Sequence, residues 1–291
     1  PGVVQALSGD DALGPWLTAH PAVEKISFTG STETGKKVLV AAAGTLKRVT
    51  LELGGNDPAI VCAGVDFEEV AAKVAHFSFL NSGQICLAIK RIYVHASIHE
   101  AFRAALVRVQ GMRVGNGMHE GVFLGPVQNR MQCERVQGLL ADVRREEQEG
   151  RGAVVAGGTV RTEPEPEGYF VAPTVVDQPA EDSRVVVEEA FGPVVPLLVW
   201  RDEEEGIARA NATRMGLGAS VWSADRAQAG RIARRIEAGS VWVNTHYQLD
   251  PAVPDGGHKE SGLGLESGMA GLLGFVLQHP ACVSREVVRH N

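Results

Sequence analysis

The chain has 291 residues, 44% hydrophobic and 22% charged, and carries a formal net charge of −7 from 28 Lys and Arg against 35 Asp and Glu. That balance supplies a large core, excludes a fibre and argues against nucleic acid as a partner. No apolar run approaches the ~20 residues that cross a bilayer, which argues against a membrane partner.

A length near the limit of a single core suggests one large or two medium domains. Gly occupies 34 positions, above the usual ~7%, so tight turns and close backbone approaches are expected. Cysteines stand at 62, 86, 133 and 282. They have no zinc spacing and are too few to staple the chain, so they read as reduced thiols with no metal site. No signal peptide or lipidation box is legible, giving a cytoplasmic expectation.

In chain order, residues 23–28 read as a short apolar strand, 29–35 as a Gly-bearing turn and 36–43 as a helix. Two apolar runs, 49–53 and 58–63, read as buried parallel strands. Asp66 is placed to cap a helix over 67–80, with apolar residues at helical spacing and a stop at Asn81-Ser82-Gly83. Beyond it come a strand at 91–94, helices over 98–110 and 128–147, a strand at 153–156 and a solvated loop over 161–168. Strands over 185–200, 219–222 and 240–244 then alternate with helices over 203–212 and 226–238. Alternation of this kind is the α/β signature.

Several segments carry chemistry. Gly30-Ser31-Thr32-Glu33-Thr34-Gly35-Lys36-Lys37 follows a strand and opens a helix, where backbone N–H groups and the helix dipole favour a phosphate. It falls short of a P-loop because Lys37 stands where Ser or Thr would bind magnesium; an ordinary strand-to-helix turn is the other reading. Leu51-Glu52-Leu53-Gly54-Gly55 puts a carboxylate at the end of an apolar strand, where burial would raise its pKa and suit it to accept a proton. A solvated strand-end carboxylate is the alternative. Asn81-Ser82-Gly83-Gln84-Ile85-Cys86 surrounds a thiol with small residues that let a substrate approach, whereas Cys62, Cys133 and Cys282 read as buried hydrophobes. In Glu188-Glu189-Ala190-Phe191-Gly192-Pro193 a carboxylate could accept from a ribose and the Phe support a flat ring. Pro254-Asp255-Gly256-Gly257 opens a further glycine cluster.

In this order, Phe28-Thr29-Gly30-Ser31-Thr32, Leu51 to Asn56, Gly83 to Cys86, Glu189 to Pro193 and Gly256 to Gly262 together resemble the NAD(P)-dependent aldehyde dehydrogenase family, specifically its C-terminal portion without the N-terminal part of the cofactor domain. The resemblance implies an α/β fold: a partial Rossmann-type cofactor domain and an α/β catalytic domain with a parallel-rich sheet. It places residues 1–54 in the cofactor domain, 55–260 in the catalytic domain, and 261–291 in a return to the cofactor domain with a C-terminal oligomerisation strand. It implies Cys86 as the nucleophile that forms a thiohemiacetal and then a thioester, and Glu52 as the base that activates the hydrolytic water. Gly30, Ser31, Gly35 and Leu53 would line the cofactor, Glu189 would hold the nicotinamide ribose and Phe191 would pack beside it. NAD is the expected cofactor, with NADP as the second choice. A small aldehyde is the expected partner, in a homodimer or homotetramer. Asp255 departs from the Phe usual at that turn, pointing to a cationic substrate or to a chain no longer selected for catalysis. A non-catalytic truncated subunit is the alternative reading, followed by a thiol hydrolase using Cys86 and Glu52 without cofactor.

Overall fold

The computed structural model describes residues 2–161 and 168–277. In chain order its strands are β1 (Lys25–Thr29), β2 (Arg48–Glu52), β3 (Asp57–Val61), β4 (Ile89–His95), β5 (Ala153–Ala156), β6 (Val160–Arg161), β7 (Phe170–Val171), β8 (Thr174–Asp177), β9 (Val194–Trp200), β10 (Met215–Gly216), β11 (Gly218–Trp222), β12 (Ser240–Val243), β13 (His258–Lys259) and β14 (Gly262–Leu263). Its α-helices are α1 (Leu13–Ala19), α2 (Thr32–Ala43), α3 (Phe67–Phe79), α4 (His99–Leu106), α5 (Arg130–Gln148), α6 (Arg184–Val187), α7 (Glu203–Asn211), α8 (Arg226–Ala233) and α9 (Gly268–Leu273).

The main sheet has seven strands in the order β12-β11-β3-β4-β9-β8-β5. Neighbours from β12 through β8 are parallel, and β5 is antiparallel at the edge. Strands buried on both faces need apolar residues at successive positions, and β3 and β4 provide them. Along β3, Ile60 packs into one core, while Ala59 and Val61 pack into the other. Along β4, Tyr93 faces the first core and Ile92 and Val94 the second. Helices α5, α7 and α8 cover the first face through Val136, Leu140, Ile207 and Ile232; α3 and α4 cover the second through Val74, Phe79, Phe102 and Leu106. Pro58 lacks an N–H for the ladder, and the β3–β4 register shifts at Asp57 and Pro58.

A smaller sheet, β1-β2-β14, lies apart from the main one. β2 runs parallel to β1 and antiparallel to β14, so the late segment beginning at Gly262 returns to the sheet built by the first residues. Val38, Leu51 and Leu53 form its core, with Ile26, Phe28 and Val49 packed on them.

Several sequence expectations need correction. The turn expected over 29–35 is shorter, because Ser31 accepts a hydrogen bond from the Thr34 N–H and starts α2 at Thr32. The run at 49–53 does not lie in a purely parallel sheet, since β14 pairs against it. The strand expected over 185–200 is interrupted: residues 184–187 form the turn α6, and pairing starts at Val194. The 98–110 helix ends its α form at Leu106 and tightens into a 3-10 turn over Val107–Gly111. The helix expected to reach 238 stops at Ala233. Most of the loop over 161–168, Cys282 and most of the proposed C-terminal strand lie outside the described residues. Among the described residues no helix is long and apolar enough to cross a membrane.

Candidate active site

Asp66 caps α3 by accepting from the Glu68 and Glu69 N–H groups, fixing the direction in which the helix delivers its C-terminal end. There Asn81, Ser82 and Gly83 all take left-handed backbone angles, with φ of 52°, 57° and 72°. For Asn81 and Ser82, two non-glycine residues in succession, such angles are costly unless the surroundings enforce them, whereas Gly83 adopts them freely. Here Ser82 donates to the Gly125 carbonyl at 2.8 Å, and a side chain on Gly83 would overlap the Gly192 carbonyl. The turn places Cys86 half-buried at the head of β4.

Gly54 and Gly55 bring the end of β2 against this turn. A Cβ on Gly55 would lie 2.5 Å from the Cys86 carbonyl oxygen, and one on Gly54 would overlap the Glu189 carboxylate. Only glycine permits both approaches. Ser261 locks the loop from behind: its Oγ donates to the Gly54 carbonyl at 2.6 Å, and its carbonyl accepts from the Leu53 N–H at 2.8 Å.

Glu52 is half-buried, and its Oε1 has no hydrogen-bond partner. Burial raises its pKa, and the neighbouring Asp255 and Glu266 carboxylates raise it further. Desolvation pushes the Cys86 thiol up to about 11; Lys90 opposes that shift, and Glu52 and Asp57 add to it. Glu52 and Cys86 therefore lie within each other's fields. A thiol in this environment rests protonated at neutral pH, so attack requires a proton acceptor.

The acidic pair of the sequence divides. Glu188 turns outward into an ion pair with Arg184 at 2.8 Å, while Glu189 turns inward. Glu189 Oε1 accepts from the Gly55 N–H and pairs with Lys90, both at 3.2 Å. Phe191 follows with φ of 45°, and Gln132 of α5 donates to the Ala190 and Phe191 carbonyls at 3.1 and 2.8 Å. At the small sheet, Gly30 and Ser31 are exposed where β1 passes into α2. A Cβ on Gly35 would lie 2.5 Å from the Leu53 side chain, so Leu53 seats the helix against the strand. Lys36, the near-P-loop lysine, is paired with Glu260 at 3.3 Å.

The structure thus brings Cys86, Glu52 and Glu189 together and places Gly30, Ser31, Gly35 and Leu53 at the start of α2. Sequence reasoning missed Lys90, Asp57, His246 and Glu266. A Lys-Arg pair inside the apolar run from Ile85 to Val94 was the available signal for the first, because a charge in a buried strand demands a partner. Cys62 and Cys133 are buried core thiols. Asp255 exchanges backbone hydrogen bonds with Glu266 at 2.9 and 2.7 Å, and its carboxylate accepts from Ser240 Oγ at 3.1 Å. It borders a cavity of about 570 Å³ walled in part by Trp242, Leu249 and Val253.

Asp57 is 1% exposed; the Gly218 N–H lies near its carboxyl, but neither oxygen has a partner in good hydrogen-bond geometry. Burial pushes it up to about 7 against the pull of Lys90. The folded chain therefore holds a proton on Asp57 over a range, from ~4 to about 7, in which the unfolded chain has lost it. This group's contribution to stability falls as pH rises through that range. Asp57→Asn is expected to unfold at a higher temperature than the wild type near neutrality and at a similar one at acid pH. Thermal melts at the two pH values check this, and a variant equally destabilised at both would refute it.

A family model described as the aldehyde dehydrogenase family matches residues 1–278. A probable aldehyde dehydrogenase of Pseudomonas sp is 46% identical over 98% of this chain and 57% of its own length. Aldehyde dehydrogenase LUC3 of Fusarium sp is 42% identical over 94% of this chain and 58% of its own. Among solved structures, betaine aldehyde dehydrogenase of Staphylococcus aureus in complex with NAD+ superposes with a TM-score of 0.85 at 34% identity, covering 89% of this chain and 51% of that one. A mutant aldehyde dehydrogenase C of Pseudomonas syringae, complexed with NAD+ and octanal, also superposes with a TM-score of 0.85, at 36% identity over 90% of this chain and 53% of that one. The chain spans a little over half the length of these curated relatives.

Proposed function

The chain belongs to the aldehyde dehydrogenase family, and from that premise we propose that it carries the nucleophile, the hydrolytic base and part of the dinucleotide site of an enzyme that oxidises an aldehyde to a carboxylic acid with NAD+. One observation carries the reading. The close approach of Gly55 to the Cys86 carbonyl puts the strand-end carboxylate of Glu52 and the thiol in a common field.

The residues present fit a dinucleotide. The Thr32 and Glu33 N–H groups, which open α2, a helix of 12 residues, have no intrahelical acceptor and suit a phosphate, while Ser31 takes the Thr34 N–H. Gly30 and Ser31 leave the approach open, with Gly35 and Leu53 holding the turn, while Glu189 offers acceptor oxygens for a ribose and Phe191 an apolar flank. When bound, the nicotinamide supplies the acceptor for the substrate hydride. The chain's own residues do the rest. Cys86 adds to the aldehyde carbonyl through sulfur while the carbonyl oxygen gains the proton the thiol gives up, forming a thiohemiacetal. Loss of the hydride together with that hydroxyl proton, which passes to solvent, leaves a thioester on Cys86. Glu52 then takes a proton from water, whose oxygen attacks the thioester carbon, releasing the acid and restoring the thiol.

Residues 1–54 and those from 261 onward belong, in this reading, to the cofactor domain, and 55–260 to the catalytic domain. Pairing of β14 with β2 supports the division. Exposed Leu272, Leu273, Phe275, Val276 and Leu277 support a homo-oligomer. NAD is favoured by the bound NAD+ of the similar structures.

The test follows NADH formation over aliphatic, aromatic and amino-aldehydes, using this chain and a version extended at its N-terminus to the length of its relatives. Aldehyde-dependent reduction of NAD+ is the expected result. Its absence from both proteins across the panel would overturn the proposal.

A further inference from the structure

Lys90 lies at the second position of β4, a strand whose residues are nearly all buried, and its side chain is only 5% exposed. An ammonium has three N–H donors and cannot be buried cheaply unless each finds an acceptor. Lys90 finds two acceptors and a countercharge: it donates to the Ile85 carbonyl at 2.8 Å and the Cys86 carbonyl at 2.6 Å, and its ammonium pairs with Glu189 Oε1 at 3.2 Å. The two acceptors are consecutive carbonyls of the turn that carries the thiol. The countercharge is the carboxylate that the proposed function turns toward the cofactor. Neither Arg91 nor His246 duplicates this bridge. Arg91 is occupied by the Asn56, Arg209 and Ala210 carbonyls and by Tyr93. His246 holds the Leu87 carbonyl at 2.6 Å.

We propose that Lys90 is a positioning residue that ties the Cys86 turn to the Glu189 carboxylate, so that one buried ammonium holds both the nucleophile and the group facing the cofactor. The inference rests on the reading of Cys86 and Glu189 given above. It extends that reading by coupling the two through a residue outside the family motifs. The charged and titratable groups that act on the thiol or face the ammonium are Glu52 from β2, Asp57 from β3, Glu189 before β9, and His246 after β12. Lys90 is the strongest of the influences that favour the Cys86 thiolate, and its charge also acts on Asp57 and His246.

The test titrates the Cys86 thiol in the dinucleotide-free chain by its ultraviolet thiolate absorbance, with Cys86→Ala subtracted. Because it needs neither aldehyde nor cofactor, its outcome is independent of whether the chain turns over. Lys90→Gln keeps two N–H donors for the turn and loses the charge. Its titration midpoint is expected to rise by about one pH unit, about tenfold less thiolate at a given pH. Lys90→Met should raise it at least as far, and if that variant does not fold, the Gln variant decides. A folded Lys90→Gln with an unchanged midpoint would overturn the proposal. The tie to Glu189 is read by a double-mutant cycle. Glu189→Gln should lower the midpoint in the wild-type background and have a smaller effect in Lys90→Gln. Equal shifts in the two backgrounds would refute the coupling.

Discussion

Replacing Cys86 with Ala is expected to reduce aldehyde-dependent NADH formation by about 10⁴- to 10⁶-fold, the scale seen when a covalent catalyst loses its nucleophile. No other described thiol can substitute. Cys62 and Cys133 are buried within the core, and burial pushes Cys62 up to about 11 with no substrate access. The substitution should leave the fold in place, because the turn is held by Lys90, Ser82 and the close fit of Gly83 rather than by the sulfur. Retained melting temperature with lost turnover is the expected pair of results. Turnover within tenfold of the wild type would show that the thiol is not the nucleophile.

Glu52→Gln separates the two halves of the reaction. Gln occupies the same volume at the end of β2 and cannot accept the proton of the hydrolytic water. Acylation should proceed once and hydrolysis stall, giving a burst of about one NADH per active chain followed by a steady state slowed ~10²- to 10⁴-fold. Mass spectrometry of the stalled protein should find the acyl group on Cys86. A slowed reaction without burst or adduct would assign Glu52 to an earlier step. The pH dependence has a defined sign. A general base works ionised, and burial with Asp255 and Glu266 holds the Glu52 proton on to higher pH. The wild-type rate of hydrolysis should therefore rise with pH above the ordinary carboxylate range. Asp255→Asn removes one negative neighbour and should move that rise to lower pH.

Asp255 takes a different meaning once its surroundings are known. By its departure from the Phe usual in the resembled family it points to a cationic substrate or to a chain no longer selected for catalysis. In the fold it accepts from Ser240, bridges by its backbone to Glu266 and raises the pKa of Glu52. The residue thus acts on the proposed base, and it does so from about 200 positions away in the chain. Such an effect is invisible to local patterning.

Buried polar groups tell the same story. Among the described side chains, buried atoms without hydrogen-bond partners occur at Glu52, Asn56, Asp57, Glu146 and His246. Glu52 and Asp57 act on the Cys86 thiol, Asn56 sits between Gly55 and Asp57, and His246 bonds to the Leu87 carbonyl. Burial pushes His246 down to about 4, keeping its imidazole neutral. Four of the five thus gather around the Cys86 turn, with Glu146 apart on α5; such a gathering is expected where function has displaced stability. No composition or spacing rule could have gathered them, since Asp57 and His246 meet the turn only through the parallel packing of β3, β4, β11 and β12.

The sequence by itself determined the alternation of strands and helices, the cap at Asp66, the thiol at Cys86, the strand-end carboxylate at Glu52 and the glycine turn before α2. These rest on near-neighbour physics: burial periodicity, cap hydrogen bonds and the conformational freedom of glycine. Only the tertiary structure decided that Glu188 pairs outward with Arg184 while Glu189 takes the Gly55 N–H, that β14 pairs antiparallel against β2, and that Lys90 donates twice into the nucleophile turn and pairs with Glu189. Those outcomes depend on which distant segments supply acceptors and charges, and an ammonium or carboxylate in a low-dielectric interior takes its role from whatever the fold brings within a few ångströms of it.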